Sequence, residues 1–144
     1  MQRHPNLIPL SHEHKSLLFV CRYLKKDAAP YEGYPLDAQS KLAYMVKVFQ
    51  EIMVPHIQKE DHLFEQCYGR SAAIDVMLDE LREEHRIISG MYSALVDHPD
   101  LVEAMHTIAV SLEAHIRKEE RVVYEKLQEE LPDIINTISF DNHP

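Results

Sequence analysis

The sequence predicts an all-α fold, an up-down-up-down four-helix bundle with a pseudo-twofold repeat of two helical hairpins. Three observations carry this. Long segments place apolar residues at three-and-four spacing, and no segment alternates apolar and polar residues with period two. Two short phrases also occur twice: HIQKED, from His56, returns as HIRKEE from His115, and Glu13-His14-Lys15 returns as Glu84-His85-Arg86.

The elements follow from the punctuation. DAAPYEGYP (27–35), YGRS (68–71) and DHPD (97–100) are turn-type stretches between segments that contain little else able to stop a helix. The first helix is expected from about Ser11 into Lys25-Lys26, and the second from about Asp37 to Tyr68. The third is expected over Ala72 to Val96 and the fourth over Asp100 to Glu130. Ser11, Asp37, Ser71 and Asp97 offer side-chain oxygens that can cap helix N-termini. LPDIINTISF reads as a short closing turn of helix. Pro55, inside the second helix, should kink it just before His56 and aim that imidazole. At 144 residues the chain suits a single domain, because chains of this size bury about two-thirds of the surface they expose when unfolded. The bundle is assigned to about residues 10–130, with 131–144 as a short extension.

Composition excludes several function classes. A formal charge of -9 without a dense Lys/Arg block is unsuited to nucleic acid or an anionic membrane surface. Cys21 and Cys67 show no CxxC spacing, which argues against a disulfide framework or a thiolate zinc site, and they read as core fillers. No apolar run reaches transmembrane length or forms a secretory leader, so a cytoplasmic location is expected. Ten histidines are a marked excess and are not contiguous as a tag would be.

Four of them fall on the apolar stripes. His14 lies between Leu10 and Leu17, and His85 between Leu81 and Ile88. His56 with Glu60, and His115 with Glu119, occupy the middles of the other two stripes. Residues four apart on a helix are rotated by only about 40° and separated by about 6 Å, so each HxxxE pair shares one face. A single core histidine is usually just hydrogen-bonded, and a lone HxxxE is usually a surface pair. Six such groups on four inward stripes would cost several kcal/mol each if left unpaired, and a shared metal centre would satisfy all six together. Nitrogen and oxygen ligands without thiolates suit iron, and they also admit manganese or zinc. Six side chains exceed a four-coordinate zinc site and suit two ions bridged by Glu60 and Glu119. With an oxo or hydroxo bridge, two six-coordinate ions would keep about two open positions for exogenous ligands.

LSHEHKSLL (10–18), HIQKEDHLF (56–64), LREEHRIISGMYSAL (81–95) and HIRKEERVVYEKL (115–127) together resemble the hemerythrin-like, or HHE cation-binding, domain. The resemblance implies a four-helix bundle around a non-haem di-iron centre, with His14, His56, Glu60, His85, His115 and Glu119 as ligands. It further implies that the partner is a small diatomic molecule, oxygen or nitric oxide, or that the domain senses redox state or handles iron. Oxygen-carrying members have a fifth histidine where this chain has Ser89, and an aspartate at HxxxxD where it has Glu119. That difference favours sensing, nitric oxide binding, slow oxidation or metal handling over reversible carriage, and binding over enzymatic turnover. The alternatives are an iron-centre repair protein and a ferritin-like di-metal oxidase. The latter's ExxH signature occurs as Glu103-Ala-Met-His106. A metal-free structural bundle is the third reading.

The remaining residues are read more plainly. His4, His12, His62, His98, His106 and His143 are expected at helix edges, loops or termini. Glu13, Asp61, Glu84 and Glu120 adjoin ligand positions but are turned about 100° away on their helices, so they are expected as solvated charges. Tyr44 and Tyr92 are candidates to line the open side of the site.

Overall fold

The computed structural model describes residues 2–140, all-helical and without a strand among them. His143 lies outside the described residues. The helices are α1 (Ile8–Leu24), α2 (Ala38–Val48), α3 (Val54–Cys67), α4 (Ala72–Ser93), α5 (Leu101–Lys118), α6 (Tyr124–Glu130) and α7 (Pro132–Thr137). A π-helical turn, Phe49–Met53, joins α2 to α3, and another, Glu119–Val123, joins α5 to α6. Backbone dihedrals stay right-handed helical through both junctions, so each pair is one rod with a widened turn.

The first of these turns has a chemical cause. Pro55 cannot donate to the carbonyl four residues back, and its ring crowds that carbonyl. The helix widens directly ahead of it, with the Val54 N–H bonded to the Phe49 carbonyl. The expected kink is thus a local widening. The second π turn contains no proline, and nothing in its sequence announces it.

The helix starts differ from expectation at two places, and Ser71 stands at the start of α4 without a side-chain capping bond. α1 begins at Ile8, with Pro9 in its first turn, where a missing N–H is harmless. Ser11 therefore lies inside the helix, and its hydroxyl donates to Glu120. Asp100, not Asp97, caps α5 by accepting from the Glu103 N–H, while Asp97 belongs to a three-ten turn. Asp37 caps α2 as expected. Between α1 and α2 the chain turns at Gly33, whose φ of 83° disfavours a side chain.

Two apolar clusters fill the interior. One contains Leu17, Cys21, Met53, Ile88, Leu112 and Ile116, and the other Leu10, Leu63, Phe64, Leu81, Val123 and Leu127. Along every long rod the chain passes from one cluster to the other, and a buried polar residue stands at each crossing. His14 lies between Leu10 and Leu17, His56 and Glu60 between Met53 and Leu63, His85 between Leu81 and Ile88, and His115 and Glu119 between Leu112 and Val123. Each fully buried Leu or Phe stabilises the fold by about 1.5–3 kcal/mol. Those clusters hold a polar layer whose own burial is unfavourable.

Candidate metal centre

All six residues singled out in the sequence are buried, and the fold brings them together. They form two overlapping groups, His14, His56, Glu60, Glu119 and Glu60, His85, His115, Glu119, whose potential ligand atoms lie within 4.8 Å of one another. Glu60 and Glu119 belong to both. Within the cluster, His56 Nε2 is 3.2 Å and His85 Nε2 is 3.0 Å from Glu60 Oε1. His14 Nε2 and His115 Nε2 are each 3.3 Å from Glu119 Oε1.

Several of these atoms have no hydrogen bond at all. The Nε2 atoms of His14, His56 and His115 and both oxygens of Glu119 are buried and unpartnered. Such groups cost about 1–3 kcal/mol each, more when charged, and their convergence on one point is what a cation would relieve. The donor set therefore fits metal.

The other ring nitrogens are all engaged. Nδ1 of His56 meets Glu13 at 2.9 Å, that of His85 meets Asp61 at 3.2 Å, that of His115 meets Glu84 at 2.7 Å, and that of His14 meets Glu120 at 2.8 Å. A carboxylate only accepts, so Nδ1 donates in each contact and Nε2 is the nitrogen turned toward the cluster, where the neutral imidazole would offer its lone pair to a metal. Glu13, Asp61, Glu84 and Glu120 are thus not merely solvated charges. Each adjoins one inward residue of its own helix and reaches the histidine of a neighbouring rod, so the four contacts close into a ring. Lys59 holds Glu13 at 2.7 Å and Lys118 holds Glu84 at 2.9 Å, which repeats the twofold of the sequence.

Electrostatics without metal follow from this crowding. Burial opposes charge on His56, but Glu60 and the Glu13 hydrogen bond outweigh it and push the imidazole up to about 9. Burial is likewise overcome at His85 by Asp61 and Glu60, again to about 9. Burial and the Glu60 charge together push Glu119 well above the usual carboxylate range. Burial would raise Glu60 too, yet the His56 charge and its hydrogen bonds hold it well below.

The tyrosine at the site is Tyr124, which sequence reasoning missed. Its buried hydroxyl donates to Glu60 Oε2, and its ring stacks on His14 with centroids 5.6 Å apart. Phe64 stacks on His85 in the same manner at 5.9 Å. Phe64 lies eight residues after His56, whereas Tyr124 lies nine after His115, and the π turn at Glu119–Val123 absorbs the extra residue. Tyr92 instead stacks on Phe49, and Tyr44 joins Phe19, Tyr23 and Tyr34 in an aromatic group. Ser89 is exposed and lines a groove outside His85.

The remaining histidines stand apart. His106 accepts from the Lys26 N–H, and Glu103 pairs with Lys26 Nζ at 2.6 Å, so the ExxH pair anchors a loop and stays out of the cluster. His98 accepts from the Asp100 N–H, and His4 accepts from that of Asn6. His62 packs edge-on against Phe140, and His12 is exposed. Cys21 and Cys67 are buried and unpaired with each other.

The sequence model of the hemerythrin HHE cation-binding domain matches residues 9–130. The chain belongs to the hemerythrin HHE cation-binding family. No curated protein and no solved structure matches it. Cation binding is thus the family's property, and this hemerythrin domain contains a buried His/Glu cluster that could hold metal. No helix among the described residues is long and apolar enough to cross a membrane.

Proposed function

We propose that this domain is a cytoplasmic non-haem di-iron protein that binds or senses a small diatomic molecule, oxygen or nitric oxide. In this reading the four long rods form an up-down-up-down bundle. His14 and His56 would hold one ion and His85 and His115 the other, with Glu60 and Glu119 available to both. The single observation that carries it is the convergence of unpartnered Nε2 and carboxylate oxygen atoms at the junction of two groups that share both glutamates.

Iron in such a nitrogen and oxygen site supplies reversible redox change and affinity for diatomic ligands. The chain's own residues do the rest. The outer carboxylates fix the imidazoles in the tautomer that presents Nε2 inward. Tyr124 restrains Glu60 through one oxygen, and the apolar clusters on both sides keep bulk water from the polar layer. Six protein ligands on two ions leave room for an added ligand, which favours binding over a saturated structural site.

The test is rapid mixing of the anaerobically reduced, iron-loaded protein with oxygen or nitric oxide, followed optically. The expected result is one stoichiometric absorbance change without sustained oxygen consumption. Continuous consumption with deposition of ferric mineral would instead support the ferritin-like alternative.

A further inference from the structure

The four corners of the carboxylate ring are not equivalent. Glu13 and Glu84 are each fixed by a lysine, and Glu120 by Ser11 at 2.8 Å and by Arg3. Among the described residues Asp61 has no partner besides His85, and their 3.2 Å contact is the longest of the four. The Asp61 side chain is 51 % exposed, against 22 % for Glu13, 34 % for Glu84 and 28 % for Glu120.

That loose corner borders a groove of about 400 Å³ lined by Asp61, His85, Arg82, Arg86 and Ser89, among others. Arg82 lies over the Tyr68 ring and Arg86 pairs with Glu83, so both guanidinium groups are engaged away from the Asp61–His85 contact. The corresponding position of the other half carries an apolar side chain. Leu18 stands four residues after His14, where Ser89 stands four after His85, and Leu18 is half-buried against the apolar core while Ser89 is exposed.

We propose that this groove is the route by which divalent cations reach the cluster, with the Asp61–His85 corner as its inner gate. The inference rests on the two-ion reading above. His85 Nε2 lies 3.0 Å from Glu60 Oε1, and Glu60 belongs to both groups, so displacing this one imidazole frees one side of a carboxylate that either ion would use. The other three histidines are held by carboxylates that are themselves anchored, and moving any of them breaks a larger set of contacts.

The test introduces Ser89→Cys and caps the new thiol with a bulky maleimide on the folded protein. Cys21 and Cys67 are buried, and burial pushes their thiols up to about 12 and about 11, so only the introduced thiol reacts at neutral pH. Cobalt(II) uptake by metal-free protein and its removal by excess chelator are then followed optically. Capping is expected to slow both rates by a common factor of about ten, a barrier increase of ~1.4 kcal/mol. Affinity and the two-ion stoichiometry should stay unchanged, and the uncapped variant should behave as wild type. Two ions bound at rates indifferent to capping would overturn the route while leaving the two-ion reading intact. Failure of the wild-type chain to bind two cobalt ions would overturn the two-ion reading, and the route with it.

Discussion

Glu84 Oε1 lies 2.7 Å from His115 Nδ1, although Glu84 belongs to α4 and His115 to α5. The same relationship joins Glu13 to His56, and Lys118 and Lys59 complete the two copies. Outer partners of this kind orient a ligand and raise its basicity, and their loss typically costs about 10–100-fold in metal affinity. Glu84→Gln and Glu13→Gln should each weaken cobalt(II) binding by that order in chelator competition. Exposed Glu129, mutated to Gln, should change nothing. Equal affinities in all three variants would remove the ring from the binding mechanism.

These four carboxylates also mark where sequence reading stopped. Periodicity correctly put His14, His56, Glu60, His85, His115 and Glu119 on inward faces, because a buried polar residue on an apolar stripe is legible from one helix alone. A residue one step along is turned about 100° from its neighbour. From one helix that direction looks like solvent, and only the packing of the next rod makes it a contact. Tyr124 was hidden for a related reason. The unannounced π turn moves it by one position into the place that Phe64 holds in the first half. Pro55 marked the place of the other irregularity but as a kink, where the helix instead widens, and the all-helical class followed from periodicity and the repeated phrases.

Tyr124→Phe removes one oxygen from a buried position and leaves Glu60 without that donor. A hydrogen bond to a charged group contributes about 1.5–3 kcal/mol. The metal-free variant should be less stable by that amount in denaturant unfolding. No change in midpoint would show that the hydroxyl bond is not stabilising.

Metal uptake should depend on pH with a definite sign. His56 and His85 are pushed up to about 9 in the metal-free chain, so both are largely protonated at pH 7. A metal must displace those protons. Apparent affinity should therefore rise from pH 6 toward 9 and level off above it, with protons released on loading. Chelator competition across that range checks the slope, and a flat profile would contradict it.

Loading should also stabilise the fold. A ligand bound only by the native state, present at a thousand times its Kd, contributes about 4 kcal/mol, which corresponds to a rise in Tm of about 10 °C for a chain of this size. Calorimetry of the metal-free and loaded forms measures it. An unchanged Tm after verified loading would favour a bundle whose polar layer is purely structural.

The most direct measurement is the metal content of protein purified anaerobically from iron-replete cells, for the wild type and for Glu119→Ala. Glu119 belongs to both groups, and both its oxygens are buried without a hydrogen bond. Two irons per chain are expected in the wild type, with a large loss in the variant while His12→Ala retains both. One tightly held zinc with no iron, or metal content indifferent to Glu119, would contradict a di-iron centre at this cluster.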